Sequence, residues 1–174
     1  MRKKKLHNKT SIAMYEYIYP HPAVTADSVV FGFDGRALKV LLIERGQEPC
    51  KGMWAFPGGF LQMDETAEEC AVRELREETG LELEPHEVKQ IGAFSAVHRD
   101  PRERVITIAY YALVRQSEVH GDDDAARAQW WALEEMPPLA FDHDLILREA
   151  IQRLQQDPRF NCSDLRPELQ THNG

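Results

Sequence analysis

Residues 59–81 read GFLQMDETAEECAVRELREETGL, and this stretch decides the fold of the chain. The part from Thr66 to Thr79 contains no Gly or Pro and opens with a capping box that closes at Glu69. It runs into Gly80, the residue type preferred just beyond the end of a helix. Because both ends carry local signals, we predict a helix between them.

Three acidic side chains share one side of this predicted helix. At about 100° per residue, Glu74, Glu77 and Glu78 fall on a single arc. The neighbouring apolar stripe predicts that Leu75 is buried. Like charges one helical turn apart repel each other unless a cation lies between them. Each glutamate taken singly is typical of a solvated helix face, but the group predicts a metal site.

Two further features accompany the acidic arc. Gly58 and Gly59 precede the helix and predict a turn whose unshielded carbonyl is a further oxygen ligand. An all-oxygen shell of this kind suits Mg²⁺. Arg73 precedes Glu77 by one turn, and we predict that its guanidinium organises the site by holding Glu65 or Glu77.

The order of these residues resembles the Nudix box, whose pattern is G-x5-E-x7-R-E-U-x-E-E-x-G-U with U aliphatic. Every fixed position is matched, by Gly59, Glu65, Arg73, Glu74, Leu75, Glu77, Glu78, Gly80 and Leu81. The resemblance implies an α+β fold, a Nudix-type α/β/α sandwich with a mixed β-sheet and the box on a strand-loop-helix unit. We place the Nudix hydrolase domain at residues 20–156. The basic start at 1–19 and the stretch at 157–174, which has no sustained apolar period, are predicted to be an N-terminal and a C-terminal tail.

Patterns outside the box predict the other elements. Residues 23–33 and 37–44 are rich in β-branched and apolar residues and are separated by Asp-Gly-Arg, which is a hairpin signal. Residues 88–97 and 105–114 predict a second strand pair joined by a charged loop. The remaining predictions are a short strand at 129–133 and an amphipathic helix at 141–155. Helices packed on a mixed sheet follow from this order.

The resemblance implies hydrolysis of a nucleoside diphosphate linked to another moiety, with Mg²⁺ or Mn²⁺ as the cofactor. Glu74 and Glu78 are then expected to be the principal metal ligands, and Glu77 to join them directly or through water. A carbonyl of Gly58 or Gly59 is expected to complete the metal shell. Clustered carboxylates around a cation suit this chemistry, since phosphoanhydride hydrolysis needs neutralised phosphate oxygens and a positioned water.

The sequence leaves the general base open. In the family it is either a glutamate of the box or an acid on a loop outside the box. The loop at residues 118–124 is rich in Gly and Asp, and we select Asp123 and Glu118 as the first candidates. The alternative for each residue is an ordinary solvated turn, because Gly and Asp favour turns for backbone reasons alone.

Substrate recognition requires cations for the phosphates and an aromatic or apolar surface for a base. The candidate substrate-binding residues are Arg45, Trp54, Phe94, Arg99 and Arg102. Core packing is the alternative for the two aromatic residues, and solvated charge is the alternative for the loop arginines. No histidine has the paired spacing of a zinc site. We interpret three histidines as surface or capping residues: His98, His120 and His143.

Residues 19–25, 98–102 and 139–143 resemble the ADP-ribose-directed branch of the family. This softer resemblance implies hydrolysis of ADP-ribose to AMP and ribose 5-phosphate, and by analogy a homodimer. The enzymatic alternative is a nucleoside triphosphate pyrophosphohydrolase. The alternative from another class is a catalytically silent module that senses ADP-ribose.

Length and composition agree with one domain, since the chain has 174 residues of which 43% are hydrophobic. The formal net charge of −8 argues against nucleic-acid and membrane partners, so the expected partner is the small nucleoside diphosphate substrate. Three scattered cysteines give no disulfide framework, and residues 6–19 form no apolar signal core. We therefore expect a cytoplasmic protein without a membrane span or an appended DNA-binding domain.

Overall fold

A computed structural model describes residues 17–33, 36–116 and 125–158. Along these residues lie seven strands, two α-helices and a short 3-10 turn at Leu133–Glu135. In chain order the elements are β1 (Ala23–Phe33), β2 (Leu38–Arg45), β3 (Trp54–Ala55), β4 (Gly58–Phe60), α1 (Ala67–Thr79), β5 (Lys89–Phe94), β6 (Val105–Arg115), β7 (Ala125–Ala132) and α2 (His143–Gln155).

The strands form one mixed sheet. Its central path is β3-β2-β1-β6-β5, with β4 paired to β1 and β7 paired to β2. β1 and β6 run parallel, whereas β2 and β4 run antiparallel to β1, β7 runs antiparallel to β2, and β5 runs antiparallel to β6. The predicted hairpin, the predicted second strand pair and the mixed sheet are confirmed.

The two helices cover opposite faces of the sheet. Successive side chains of a strand point to opposite faces. In β1, Ala26 and Val30 pack with residues of α1, while Val29 and Phe31 pack with residues of α2. Leu75 of α1 is fully buried beside Val30, which confirms its predicted burial. The layers therefore form the predicted α/β/α sandwich.

The ends of α1 are satisfied by a side-chain cap and by glycine. Thr66 Oγ1 accepts a hydrogen bond from the Glu69 N–H at 3.2 Å, and the Glu69 carboxylate accepts one from the Thr66 N–H at 2.7 Å. Gly80 has a left-handed φ of 72° and donates its N–H to the carbonyl of Arg76. The predicted helix and both of its caps are confirmed.

The segment Gly58-Gly59 is a strand and not the turn that the sequence predicted. β4 pairs with β1, where Gly58 lies opposite Asp27 and Gly59 lies opposite Ala26. A Cβ atom on Gly58 would lie 2.4 Å from the Ala26 carbonyl oxygen, and one on Gly59 would lie 2.4 Å from the Glu74 carboxyl group. Glycine is required here for close approach and not for a positive φ.

Some boundaries differ from the predicted ones. β7 begins at Ala125, four residues before the predicted start at 129. α2 begins at His143, two residues later than predicted, because Phe141 has a left-handed φ of 55° that a helix does not accommodate. The turn residues 34–35 of the first hairpin lie outside the described residues.

A buried carboxylate ties the end of α2 to the sheet. Asp157 is 4% exposed and accepts hydrogen bonds from Lys89 Nζ at 3.0 Å and from the Tyr111 hydroxyl at 3.1 Å. The first residue of the predicted C-terminal tail is therefore packed against the sheet. Residues 1–16 and 159–174, which make up most of the two predicted tails, lie outside the described residues.

Candidate active site

Predicted metal ligands and predicted phosphate-binding residues line one cleft of about 310 Å³. The cleft lies where β1, β4 and α1 meet the start of α2. Its lining includes the acidic residues Asp27, Glu74 and Glu78 and the arginines Arg45, Arg99 and Arg102. The glycines of β4 also line it, so the backbone of that strand is open to a ligand.

Glu78 is the most deeply buried carboxylate of the predicted metal site, with 9% of its surface exposed. Its Oε2 accepts a hydrogen bond of 2.9 Å from the Gly58 N–H, which fixes the side chain against β4. Burial raises the pKa of Glu78 to about 8, and the negative charges of Glu74 and Asp27 act in the same direction. A bound cation would offset this burial and repulsion.

Arg73 organises the other carboxylates of the box. Its guanidinium holds Glu65 by two hydrogen bonds, from Nε at 2.8 Å and from Nη2 at 2.6 Å. Its Nη1 reaches Glu74 at 2.7 Å and Glu77 at 3.0 Å. The hydrogen bonds from Arg73 lower the pKa of Glu65 to about 2, so Glu65 is ionised at neutral pH. Both partners that the sequence predicted for Arg73 are therefore engaged.

The oxygen ligands at the site are chemically suited to a hard divalent cation, although they do not converge on one position. Among the described residues, no three His, Cys, Asp or Glu side chains are already grouped as a metal site. The carboxylates of Glu74 and Glu77 are both hydrogen-bonded to Arg73. Glu74 and Glu78 line the cleft, whereas Glu77 is 38% exposed and lies outside its lining. Carboxylate and carbonyl oxygens are the ligands that Mg²⁺ and Mn²⁺ prefer.

Arg45 and Phe141 form the part of the cleft suited to a planar group. The Arg45 Nε donates to the Pro49 carbonyl at 2.9 Å, and its Cζ lies 4.8 Å from the centroid of the Phe141 ring. The left-handed φ of Phe141 holds the ring in this position. A non-glycine residue in that backbone region is strained, and such residues cluster at ligand sites. Sequence reasoning did not select Phe141, although it lies in the 139–143 segment.

The other two arginines of the cleft are already paired with acids. The Arg99 side chain is 4% exposed and binds Asp142 through Nε at 3.0 Å and Nη2 at 2.6 Å. Arg102 binds Asp100 at 3.1 Å and 2.7 Å, and its Cζ lies 5.4 Å from the centroid of the Phe60 ring. Burial alone would raise the pKa of Asp100, but the hydrogen bonds from Arg102 outweigh it and the pKa is lowered.

Two predicted substrate-binding residues do not line the cleft. Trp54 is 8% exposed, belongs to the main hydrophobic core and packs edge-on against Trp131 with ring centroids 5.1 Å apart. Phe94 is half-buried and packs against the same core. For both residues the core alternative describes the observed position.

Asp27 and His143 are cleft residues that the sequence analysis did not select for the site. Asp27 is a buried acid within an otherwise mostly apolar strand, and this break in the pattern was the available signal. His143 is 3% exposed, so its predicted surface position is wrong. His143 lies at the start of α2, and its ring stacks on that of Phe56. His98 is exposed as predicted. His120, Glu118 and the candidate base Asp123 lie outside the described residues.

Comparison with known proteins decides the family. The NUDIX domain family matches residues 21–154 of the chain. The chain belongs to the Nudix family. The matched span of this Nudix chain contains the whole box and every described residue of the cleft.

Three similar proteins place this Nudix chain among relatives linked to ADP-ribose. An ADP-ribose pyrophosphatase from Methanocaldococcus jannaschii is 40% identical over 146 residues, which cover 84% of this chain and 82% of that protein. The ADPR responsive transcriptional repressor NtrR from Acinetobacter baylyi is 35% identical over 83% of this chain and 59% of its own length. The NUDIX domain of Shewanella oneidensis NrtR, solved in complex with ADP ribose, has a TM-score of 0.71 at 31% identity, with 78% of this chain and 90% of that chain covered.

The chain is therefore a Nudix hydrolase, a class that generally needs divalent metal ions. Within the described residues, both α-helices contain 13 residues, and neither has the length and apolar character to cross a membrane.

Proposed function

We propose that this Nudix hydrolase cleaves the diphosphate bond of ADP-ribose and releases AMP and ribose 5-phosphate. The observation that carries the proposal is the intact box, whose half-buried Glu74 and buried Glu78 line a cleft together with arginines and aromatic rings. The substrate is supported by the similar pyrophosphatase and by the similar NUDIX domain in complex with ADP ribose.

The proposed metal ligands are Glu74 and Glu78, with Glu77 as a third ligand and a carbonyl of Gly58 or Gly59. When bound, a divalent cation neutralises phosphate oxygens and lowers the pKa of a bound water. Cation binding requires the Glu74 and Glu77 carboxylates to leave Arg73 or to share it, since both are bonded to it here. The bidentate grip of Arg73 on Glu65 keeps the guanidinium in place during that exchange.

The proposed substrate contacts divide between charge and ring surface. Arg45 and Arg102 supply positive charge for the diphosphate, and Arg99 positions the loop through its bond to Asp142. The Phe141 ring offers an apolar face on which the base or the sugar of the substrate can stack, and this contact needs no hydrogen bond. For the general base we keep Asp123 as the proposal, supported by its place in an acidic loop of the sequence.

The proposal also includes the identity of the metal ion, the cellular compartment and the oligomeric state. Mg²⁺ is the proposed ion because the available ligands are carboxylate and carbonyl oxygens, and Mn²⁺ shares that preference. A cytoplasmic location is supported by Cys50 and Cys70, which are both unpaired. A homodimer is supported only by the resemblance to the ADP-ribose-directed branch.

The similar repressor supports a second candidate, in which the domain binds ADP-ribose as a signal and does not hydrolyse it. The intact set of acids in the box favours hydrolysis, because binding alone does not need them.

The deciding experiment is product analysis by phosphorus NMR with Mg²⁺ and a panel of ADP-ribose, nucleotide sugars, dinucleotides and triphosphates. AMP with ribose 5-phosphate as the main products would support the proposal. Pyrophosphate from a triphosphate would replace it with a nucleotide pyrophosphohydrolase. ADP-ribose binding by calorimetry without turnover of any compound would replace it with the sensor. Glu78→Gln is the matched control for contaminating hydrolases.

A further inference from the structure

His143 has a fixed orientation at the inner end of the cleft. It is the first residue of α2, and its ring stacks on Phe56 with the centroids 5.0 Å apart and the planes 10° apart. Its Nδ1 accepts a hydrogen bond of 3.0 Å from the Phe56 backbone N–H. The stacking fixes the plane of the ring, and the hydrogen bond fixes its rotation within that plane. His143 therefore presents the same edge to the cleft at all times.

The backbone hydrogen bond also determines where the imidazole proton lies. An N–H group can donate to Nδ1 only when Nδ1 carries a lone pair, and a neutral imidazole has one such nitrogen and one N–H. The proton of His143 is therefore on Nε2. Burial lowers the pKa of His143, which keeps the ring neutral at physiological pH. His143 thus offers one N–H donor at its inner edge.

That donor faces Asp27 across a gap. The distance from His143 Nε2 to Asp27 Oδ1 is 4.0 Å, which is too long for a direct hydrogen bond. The other carboxylate oxygen of Asp27, Oδ2, accepts from the Thr107 hydroxyl. Neither His143 Nε2 nor Asp27 Oδ1 has a hydrogen-bond partner among the described residues. One oxygen atom placed about 2.8 Å from each of them bridges the gap.

We propose that His143 and Asp27 form a donor–acceptor pair that positions one hydroxyl-type oxygen in the cleft. The oxygen must accept a hydrogen bond from His143 Nε2 and donate one to Asp27 Oδ1. Water and a sugar hydroxyl can do both, whereas an ionised phosphate oxygen carries no proton to donate. His143 is then a positioning residue for the proposed hydrolysis, on which this inference rests.

Two substitutions at the same position separate this role from a structural one. The amide oxygen of Asn occupies the place of Nδ1, so His143→Asn keeps the acceptor for the Phe56 N–H and loses the inner donor. The amide nitrogen of Gln occupies the place of Nε2, so His143→Gln keeps a donor and loses that acceptor. Arg148→Gln, at an exposed position on the same helix, is the control for general effects on α2.

The inference predicts opposite orders for activity and stability. We expect His143→Asn to melt close to the wild type and to lose about tenfold in kcat/KM. We expect His143→Gln to melt roughly 2–12 °C lower and to keep activity within about threefold of wild type. Wild-type activity in His143→Asn, with reduced activity only in His143→Gln, would overturn the inference and leave a structural histidine.

The kinetic constants distinguish the two sources of the oxygen. A loss in kcat that is equal for every diphosphate substrate identifies water. A rise in KM that disappears for deoxyribose analogues of ADP-ribose identifies a substrate hydroxyl. Imidazole ¹⁵N shifts test the tautomer without turnover, and protonated Nδ1 would refute the pair while leaving the proposed function intact. If the wild type hydrolyses no substrate, the proposed function fails, and the ¹⁵N shifts still decide the state of His143.

Discussion

Replacing Arg73 with lysine tests whether one guanidinium holds the acidic arc together. Arg73 gives four hydrogen bonds to three carboxylates, at 2.8 and 2.6 Å to Glu65, 2.7 Å to Glu74 and 3.0 Å to Glu77. Lysine keeps the charge, but its ammonium group is a compact point donor and cannot make a bidentate fork. Arg73→Lys therefore removes geometry while the net charge stays the same.

The expected loss follows from burial and the number of bonds. A buried hydrogen bond to a charged group contributes a net free energy of about 1.5–3 kcal/mol to stability, and an exposed ion pair contributes about 0–1 kcal/mol. The side chains of Arg73 and Glu65 are 17% and 12% exposed, so an intermediate value of about 1–1.5 kcal/mol per lost bond applies. Loss of two bonds gives about 2–3 kcal/mol, or a Tm lower by roughly 4–12 °C in a chain of this size.

The assay is thermal and urea denaturation with a chelator present, so that metal affinity does not enter the result. Arg148→Lys is the matched control, because it makes the same chemical change at a pair whose side chains are 64% and 71% exposed. We expect the control to change stability by less than about 0.5 kcal/mol. If Arg73→Lys melts within about 2 °C of the wild type, the four bonds do not stabilise the fold and the organising role is wrong.

Four further changes test other parts of the argument. Glu65→Gln removes a carboxylate whose pKa is about 2 in the folded protein and ordinarily 4.5. Urea denaturation should therefore show the full loss of stability relative to wild type above pH 4.5, and this difference should disappear as the pH falls through 2. Gly59→Ala forces a Cβ to within 2.4 Å of a box carboxyl group and should lower kcat/KM by at least about tenfold, whereas Gly92→Ala enters open space and should not. Leu75→Ala empties a fully buried site and should cost about 2–5 kcal/mol, and an unchanged Tm would refute its place in the core. Glu78→Gln should lower kcat by at least about 100-fold and abolish the rise in Tm with Mg²⁺. Its Tm in chelator at neutral pH should not fall, because the pKa of about 8 leaves the Glu78 carboxyl largely neutral there, as the amide is.

The elements with local signals were predictable from sequence. The capping residue Thr66 and the terminal Gly80 each act within a few residues of the helix that they end, so the pattern alone locates α1. The strand pairs follow in the same way from alternation and turn residues. Even Leu75 follows, because its burial depends on the helical stripe and not on its partner.

The other side of the cleft depends on contacts between distant parts of the chain. Arg99 and Asp142 are 43 residues apart, and no local pattern indicates that they pair. Trp54 illustrates the converse, because its residue type suits a core and a stacking surface equally, and only the packed sheet decides between them. The glycines of β4 line the cleft, but the turn predicted for them is a strand, since sequence does not distinguish a need for positive φ from a need for close approach.

The charges of the cleft suggest a role for the proposed metal ion before any bond is broken. Arg99 and Arg102 are paired with Asp142 and Asp100, so much of their positive charge is already neutralised. Among the described residues, no cationic side chain forms an ion pair with Glu78, and its hydrogen bond comes from the Gly58 backbone N–H. Burial raises the pKa of Glu78 to about 8, so without a cation the group is largely protonated at neutral pH, and its ionised fraction repels an entering diphosphate. We therefore propose that a divalent cation held there would stabilise the ionised carboxylate and supply positive charge for the diphosphate, so that the ion would contribute to substrate binding.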